Sequence, residues 1–175
     1  MSLFFHMKQG TESPVITFVC TGNICRSPIA EGLLLDALGK EEEPLRSIRV
    51  ISAGTSAMDG QRASQHSITA LNELGVKLDH FRSQYLTQEI IDQSWAIFCM
   101  TEAHRDYIRN YFNLKDQHLF LMTDLMEGKT SHAGIPDPIG QDLSAYIICR
   151  DTMLAAIPSI IQFLKQQLIP QLDQT

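Results

Sequence analysis

The chain has 175 residues, of which 44% are hydrophobic and 19% are charged, and its net charge is −6 at pH 7. This length predicts one domain with a sizeable core, and the acidic balance argues against general nucleic-acid binding. Four cysteines lack the density of a secreted disulfide scaffold, so we expect a cytoplasmic location.

Strands and helices alternate along the chain. Apolar runs and helical spacing predict, in order, strand Val15–Val19, helix Pro28–Leu38, strand Ile48–Ser52, helix Ala63–Leu74, a short helix after Thr87, strand Trp95–Met100, helix Glu102–Phe112, strand His118–Met122 and a last helix with apolar positions from Leu143 to Leu164. Pro158 is expected to kink or split the last helix. The alternation predicts a parallel α/β sheet covered on both faces.

We expect residues 1–13 to form a poorly ordered extension, residues 14–168 to form the domain, and residues 169–175 to form a tail. The extension lacks the apolar region of a signal peptide. No apolar stretch of about eighteen residues stands out, so no membrane association is expected.

The most informative segment runs from Cys20 to Pro28 and reads Cys-Thr-Gly-Asn-Ile-Cys-Arg-Ser-Pro. It connects the first predicted strand to the first predicted helix. Amides in the first turn of a helix have no partner within the helix, and they attract anions. The segment therefore predicts a phosphate-binding loop whose first cysteine can act as a nucleophile.

Individual residues of the loop fit this chemistry. The groups that bind a phosphate would also stabilise the thiolate of Cys20, and the guanidinium of Arg26 can hold two phosphate oxygens at once. Gly22 permits a tight bend, and Asn23 tolerates a left-handed backbone. Ser27 is placed to cap the helix, which would then begin at the proline that follows it.

Two other interpretations of the loop are weaker. Cys20 and Cys25 could be buried as small apolar side chains, as free cysteines often are. The strand before the loop, the Gly-Asn pair within it and the Ser-Pro pair after it make a chance match improbable. A metal site is not expected, because no second Cys or His pair lies at ligand spacing.

Asp137 is a candidate proton donor. It lies between two prolines in the segment Ile135–Gly140, and prolines stiffen the backbone around it. An ordinary surface turn has the same composition, so the segment alone leaves both interpretations open.

These segments resemble the low-molecular-weight protein tyrosine phosphatases. The likeness is strongest over Val19–Glu31 and continues, in the family's order, through Ile51–Ser56, Ile97–Met100 and the Asp-Pro pair at residue 137. The resemblance implies a four-stranded parallel sheet in a flavodoxin-like three-layer α/β/α sandwich. It also implies hydrolysis of phosphotyrosine in proteins, and of small aryl phosphates, with no cofactor and no metal.

The resemblance further implies roles for matching residues. Cys20 would be the nucleophile that forms a cysteinyl-phosphate, Arg26 would bind the phosphate, and Asp137 would be the general acid. The phosphate-binding loop would comprise Thr21, Gly22, Asn23, Ile24, Cys25 and Ser27. Ser52 would support the loop asparagine, Ser27 would hydrogen-bond the thiolate, and Cys25 would form a reversible disulfide with Cys20 under oxidation.

The sequence departs from the family at the pocket wall. Aromatic residues usually stand there, whereas the two corresponding positions hold Met58 and Ile139. A histidine that often supports the loop asparagine cannot be placed, since His80 lies about one position away. Most of the histidines are expected at the surface or at helix caps.

Phosphotyrosine is the first choice of substrate, because Ile24 matches the tyrosine-specific members. Members resembling protein arginine phosphatases usually carry threonine there. Phosphoarginine is nevertheless the alternative, because the usual aromatic wall residues are missing and Gly140 follows Ile139. An arsenate reductase is less favoured, since only Cys99 and Cys149 remain to carry electrons, fifty positions apart. The expected partners are a phosphorylated protein or peptide and a phosphate-like anion. We expect a monomer or weak dimer that binds neither nucleic acid nor membrane.

Overall fold

The computed structural model describes residues 13–126 and 134–172. Within them the strands are β1 (Val15–Cys20), β2 (Arg49–Gly54), β3 (Ser94–Cys99) and β4 (His118–Leu121). The α-helices are α1 (Arg26–Leu38), α2 (Gln65–Asn72), α3 (Gln88–Gln93), α4 (Glu102–Tyr111), α5 (Leu143–Gln167) and α6 (Ile169–Leu172). A single 3-10 turn covers Leu45–Ser47.

The four strands form one parallel sheet in the order β2-β1-β3-β4. Every residue of β1 and β3 is buried, because these central strands are covered on both faces. The edge strand β4 is only partly buried. The predicted four-stranded parallel sheet is therefore confirmed.

Helices cover both faces of the sheet. Helices α1, α2 and α5 contact one another around a large apolar cluster that includes Phe18 and Phe98. On the other face, α3 and α4 pack against a smaller cluster that includes Val19 and Ile97. Adjacent residues of one strand thus lie in clusters on opposite faces of the sheet, because successive side chains of a strand point to opposite faces. The predicted three-layer sandwich is confirmed.

The order of the strands determines where a ligand can bind. The chain passes from β1 outward to β2 and later returns to place β3 on the other side of β1. Ligands of such sheets bind beyond the carboxyl ends of the strands at this switch point. Cys20 is the last residue of β1 and lies at this position.

Helix α5 is continuous across Pro158, so the split is wrong, whereas the kink stays a prediction. Pro158 is exposed, and so is Leu154, whose carbonyl would accept a bond from residue 158 in a regular helix. Water can satisfy that carbonyl, which lowers the cost of a proline in mid-helix.

The segment Leu143–Leu172 is long and apolar enough to span a membrane by length and composition alone. This differs from the expectation that no such apolar stretch stands out. Its buried side chains, however, belong to the core: Tyr146, Met153, Ile160 and Leu164 lie in the cluster shared with α1 and α2. The segment has the position of a core helix in a globular domain.

The predicted domain boundaries stay predictions. Residues 1–12, residues 127–133 of the loop before Asp137, and residues 173–175 lie outside the described part of the chain. The first residues of the predicted tail form α6, and Ile169 and Leu172 pack against the core.

Replacing Gly54 by alanine should destabilise the protein by about 1–3 kcal/mol and lower its activity, because there is no room for a larger residue. An added Cβ would collide with the carbonyl oxygen of Thr21 and lie 2.9 Å from the backbone nitrogen of Asn23. Urea unfolding and steady-state kinetics measure the two effects.

Gly39 is the matched control, since an added Cβ there meets only the carbonyl oxygens of its own helix at 3.4 and 3.5 Å. Gly39→Ala should change stability by less than about 0.5 kcal/mol. Equal effects of the two substitutions would contradict the packing argument.

Candidate active site

Three of the predicted residues meet at the carboxyl end of β1. Cys20 ends the strand, Arg26 begins α1, and Asp137 precedes α5. The guanidinium of Arg26 is buried; its Nη2 donates to Asp137 Oδ2 at 2.6 Å and its Nη1 to the carbonyl of Ile135 at 3.3 Å. The Asp137 side chain remains partly exposed. The basic and acidic groups therefore face each other at the helix end of the loop that begins at Cys20.

The loop between Cys20 and Arg26 differs from the sequence prediction at its helix end. The N-cap of α1 is Cys25, and the helix begins at Arg26, so the prediction that Ser27 caps the helix is wrong. Ser27 instead directs its hydroxyl to Cys20. Asn23 has a φ of 52°, which is the left-handed conformation expected for it.

Two donors converge on the sulfur of Cys20. The backbone N–H of Asn23 lies 3.2 Å from Sγ, and the hydroxyl of Ser27 lies 3.0 Å from it. Ser27 Oγ already accepts a hydrogen bond from Asn23 Nδ2 at 2.8 Å, which leaves the serine hydrogen available for the sulfur. Both contacts stabilise negative charge on Cys20.

A buried network fixes the side chain of Asn23. Its Nδ2 also donates to Ser52 Oγ at 2.8 Å, and its Oδ1 accepts from the backbone N–H of Gln84 at 2.8 Å. Ser52 Oγ in turn donates to Glu31 Oε2 at 2.6 Å. Each member has one consistent donor or acceptor role, so the amide can adopt only one orientation.

Ser52 thus contacts Asn23 as the resemblance implies. The supporting histidine has no counterpart, because His80 is exposed and the backbone of Gln84 fills that role. Glu31 and Gln84 were missed by the sequence analysis. Glu31 lies five residues after Arg26 on α1, and only the fold shows that it faces β2.

The loop carbonyls are occupied by groups outside the loop. The carbonyls of Cys20, Thr21, Ile24 and Cys25 accept hydrogen bonds from Thr55 N, Ser56 N, Ser64 N and Ser67 Oγ at 2.7 to 3.1 Å. In the part of the chain that the structure describes, the amides of Gly22 and Ile24 donate to no acceptor. The loop thus keeps donors available for an anion.

His104 holds the loop from the side of α4. Its Nε2 lies 2.8 Å from Thr21 Oγ1 and its Nδ1 lies 2.9 Å from Thr101 Oγ1. Burial, together with the charge of Arg26, lowers the pKa of His104 to about 4. The imidazole is therefore neutral at pH 7, with one nitrogen donating and the other accepting.

His104 is buried and is an exception to the expectation that most histidines lie at the surface or at helix caps. The missed signal is its position just after β3, because β3 neighbours β1 and both strands end at the same edge of the sheet.

Burial raises the pKa of Glu31 to about 7, against the opposing effect of the hydrogen bond from Ser52. Glu31 and His104 thus flank the loop from opposite sides, with pKa values shifted in opposite directions.

The two predicted wall residues are strongly exposed, Met58 at 69% and Ile139 at 61%. Ile139 lies beside Asp137, and its N–H donates to Asp137 Oδ1 at 3.2 Å. Met58 lies in the loop after β2, where its carbonyl accepts from Ser83 Oγ. Their role as pocket walls stays a prediction.

The four cysteines are free and buried. Cys25 Sγ lies 3.3 Å from the hydroxyl of Tyr146. Burial raises the pKa of Cys149 to about 12 and that of Cys99 further. Among the described residues, no group of three or more His, Cys, Asp or Glu side chains could hold a metal ion.

A cysteine that accepts two hydrogen bonds, an arginine and an aspartate at the end of a parallel strand define a phosphatase of the cysteinyl-phosphate class. A profile of the family described as low molecular weight phosphotyrosine protein phosphatase matches residues 15–169. The chain belongs to this family, and the protein is a protein phosphatase.

Relatives within the family carry two kinds of name. A protein-arginine-phosphatase of Geobacillus stearothermophilus is 34% identical over 87% of this chain and 97% of its own. A "probable low molecular weight protein-tyrosine-phosphatase EpsP" of Ralstonia nicotianae is 30% identical over 75% of this chain and 82% of its own. The chain is thus similar to members of both kinds.

Solved structures give the same picture. The YwlE arginine phosphatase from Geobacillus stearothermophilus superposes with a TM-score of 0.77 at 34% identity, over 90% of this chain and 96% of that one. The Erwinia amylovora tyrosine phosphatase AmsI superposes with a TM-score of 0.74 at 28% identity, over 92% and 97%. The fold alone does not separate the two kinds.

The shifted groups predict opposite changes of stability with pH. Glu31 has its folded pKa raised from 4.5 to about 7, so the folded state holds an extra proton between these values and stability falls as pH rises. Glu31→Gln keeps an oxygen that accepts the hydrogen bond from Ser52 and should remove this fall of stability with pH. The variant should gain stability relative to the unsubstituted protein as pH rises through that window.

His104→Asn is the matched counterpart, since the folded pKa of His104 is lowered from 6.5 to about 4. Here the unfolded state binds the extra proton, so stability rises with pH across that window. The Asn variant should lose stability relative to the unsubstituted protein as pH rises. Urea unfolding at several pH values gives both differences, and slopes of the same sign would refute the assignment.

Proposed function

We propose that the protein hydrolyses phosphotyrosine in protein substrates through a cysteinyl-phosphate intermediate. The observation that carries this proposal is the convergence of two donors on Cys20 Sγ in a loop that ends at Arg26, which pairs with Asp137. A nucleophile, a phosphate clamp and a proton donor are then within one site.

In the first step the Cys20 thiolate attacks the phosphorus and the bond to the leaving oxygen breaks. Loop amides and Arg26 hold the equatorial oxygens, whose charge they stabilise. A bound phosphate would share the guanidinium that Asp137 now occupies, and its negative charge would favour the protonated carboxyl. Asp137 then gives this proton to the leaving phenolate.

In the second step water attacks the cysteinyl-phosphate, and the Cys20 thiolate leaves. Asp137, now ionised, accepts the proton of the water. Its partly exposed side chain lets solvent reach this position. The hydroxyl of Ser27 donates to the departing sulfur, which stabilises the thiolate as it forms.

Preference for tyrosine is supported by Ile24. This side chain stands in the loop and contacts the apolar core cluster. An apolar surface suits an aryl group and disfavours the charged, hydrogen-bonding phosphoguanidinium group. Phosphoarginine remains the second candidate, since similar proteins named protein-arginine-phosphatases cover most of this chain.

Reduction of arsenate is less well supported. That chemistry needs further reactive thiols, and Cys99 and Cys149 are fully buried with raised pKa values. We also propose a reducing, cytoplasmic location, in keeping with free cysteines at all four positions. The disulfide between Cys20 and Cys25 remains a prediction from the resemblance.

The loss of rate that follows removal of the proton donor should depend on the leaving group of the substrate. Asp137→Asn is expected to lower kcat/KM about 10²–10³-fold for a phosphate ester with a poor leaving group, and much less for p-nitrophenyl phosphate. The parameter kcat/KM is used because it reports the step in which the leaving group departs, and steady-state kinetics on a series of aryl phosphates measures its dependence on the leaving group. Equal losses of kcat/KM across the series would mean that Asp137 does not protonate the leaving group, and Cys20→Ser should abolish turnover throughout.

Specificity should respond to the residue in the loop. Ile24→Thr is expected to shift the ratio of kcat/KM for phosphoarginine over phosphotyrosine peptides upward by about tenfold, because it replaces apolar bulk with a hydroxyl. Leu154→Thr, which also replaces an exposed aliphatic side chain of α5 by threonine, is the control. An unchanged ratio would show that Ile24 does not determine the choice of substrate.

A further inference from the structure

We propose that an aromatic surface beside the phosphate-binding loop binds the residues that flank the phosphorylated residue in a protein substrate. This tyrosine surface consists of Tyr85, Tyr107 and Tyr111. The inference rests on the proposed function, since it requires a phosphorylated polypeptide as substrate.

The three rings form one continuous patch. The hydroxyls of Tyr85 and Tyr107 lie 3.3 Å apart, and the ring centroids of Tyr107 and Tyr111 lie 4.7 Å apart. Tyr85 is 42% exposed and Tyr111 is 72% exposed. The patch therefore joins the segment before α3 to the solvent-facing side of α4.

The patch begins at the loop itself. Gln84, the residue before Tyr85, donates its backbone N–H to the side chain of Asn23. His104 contacts Thr21, and Tyr107 follows it by three residues, which places both on one side of α4. Tyr85 and Tyr107 thus each lie close in the chain to a residue that contacts the phosphate-binding loop.

Hydrogen bonds join the segment of Tyr85 to the loop that carries Met58. The N–H of Tyr85 donates to Asp59 Oδ1 at 2.6 Å, and Ser83 Oγ donates to the carbonyl of Met58. Met58 is an exposed side chain of the loop after β2. The position of Tyr85 is therefore fixed relative to this loop.

The chemistry of the patch suits a polypeptide. Tyrosine offers a large apolar face and a hydroxyl that can meet backbone groups, and such residues dominate binding at protein interfaces. Charges nearby on α4 are paired, Asp106 with Arg109 at 3.6 Å and Arg105 with Asp124 at 2.7 Å. Recognition would rest on apolar contact more than on net charge.

The dimensions match a short stretch of chain. From His104 to Tyr111 the helix rises about 10 Å at ~1.5 Å per residue. An extended peptide covers that length with about three residues at ~3.3 Å each. The surface can therefore hold about three residues next to the phosphorylated one.

The test compares two phosphotyrosine peptides, one with three apolar residues on each side of the phosphotyrosine and one with glycines there. The unsubstituted protein should prefer the apolar peptide in kcat/KM. Tyr111→Ala, and Tyr107→Ala with Tyr111→Ala, should lower this preference, the double variant by about tenfold. Leu35→Ala on α1 and Leu154→Ala on α5, both exposed, should leave it unchanged.

Three outcomes would overturn the proposal. One is equal use of the two peptides by the unsubstituted protein, and another is a preference that survives both tyrosine substitutions. The third is a preference that varies with enzyme concentration together with a change of sedimentation, since the surface would then join two copies of the chain. Absent turnover of p-nitrophenyl phosphate would instead defeat the proposed function.

Discussion

The site depends on the orientation of one side-chain amide, that of Asn23. Its nitrogen donates to Ser27 and Ser52 and its oxygen accepts from Gln84, so the amide cannot turn over without losing buried hydrogen bonds. Because Ser27 accepts from this nitrogen, its own hydrogen is free for the sulfur of Cys20. A left-handed backbone at Asn23 also places its N–H against that sulfur. One residue thus directs both donors that favour a thiolate.

This loop is braced from two sides that differ in their electrostatics. On the β2 side the network ends at Glu31, a carboxyl group that burial keeps partly protonated near neutral pH. On the α4 side it ends at His104, an imidazole that burial keeps uncharged. Neither brace places a firmly fixed charge beside the anion-binding loop. Among the residues that the structure describes, Arg26 can then act as the main positive charge at the phosphate position, and it pairs with Asp137.

The sequence was sufficient for those parts of the site that are local in the chain. The strand–loop–helix pattern identified Cys20 and Arg26, and alternation of apolar runs predicted the parallel sheet, since both signals lie within a few consecutive residues. His104 and Glu31 were not predicted, because each acts through a contact that forms only when the chain folds. The capping role given to Ser27 failed for the same reason: the loop uses its hydroxyl for Cys20, and α1 begins at Arg26 without a side-chain cap.

Apart from Ile24, the residues proposed to determine substrate choice lie at the exposed rim, whereas the nucleophile and the phosphate-binding arginine are buried. The buried groups are Cys20, Arg26 and the hydrogen-bond network of Asn23. The exposed groups are Met58, Ile139 and the tyrosine surface. Substitutions at the rim cost little stability because few contacts are lost there. A family with a fixed phosphate site can therefore contain members named for tyrosine and for arginine that share one fold. Met58 and Ile139 are not aromatic, and such side chains lack the stacking that an aromatic wall would give to a substrate ring, so we expect the exposed tyrosines to supply apolar contact to the neighbouring residues of a polypeptide.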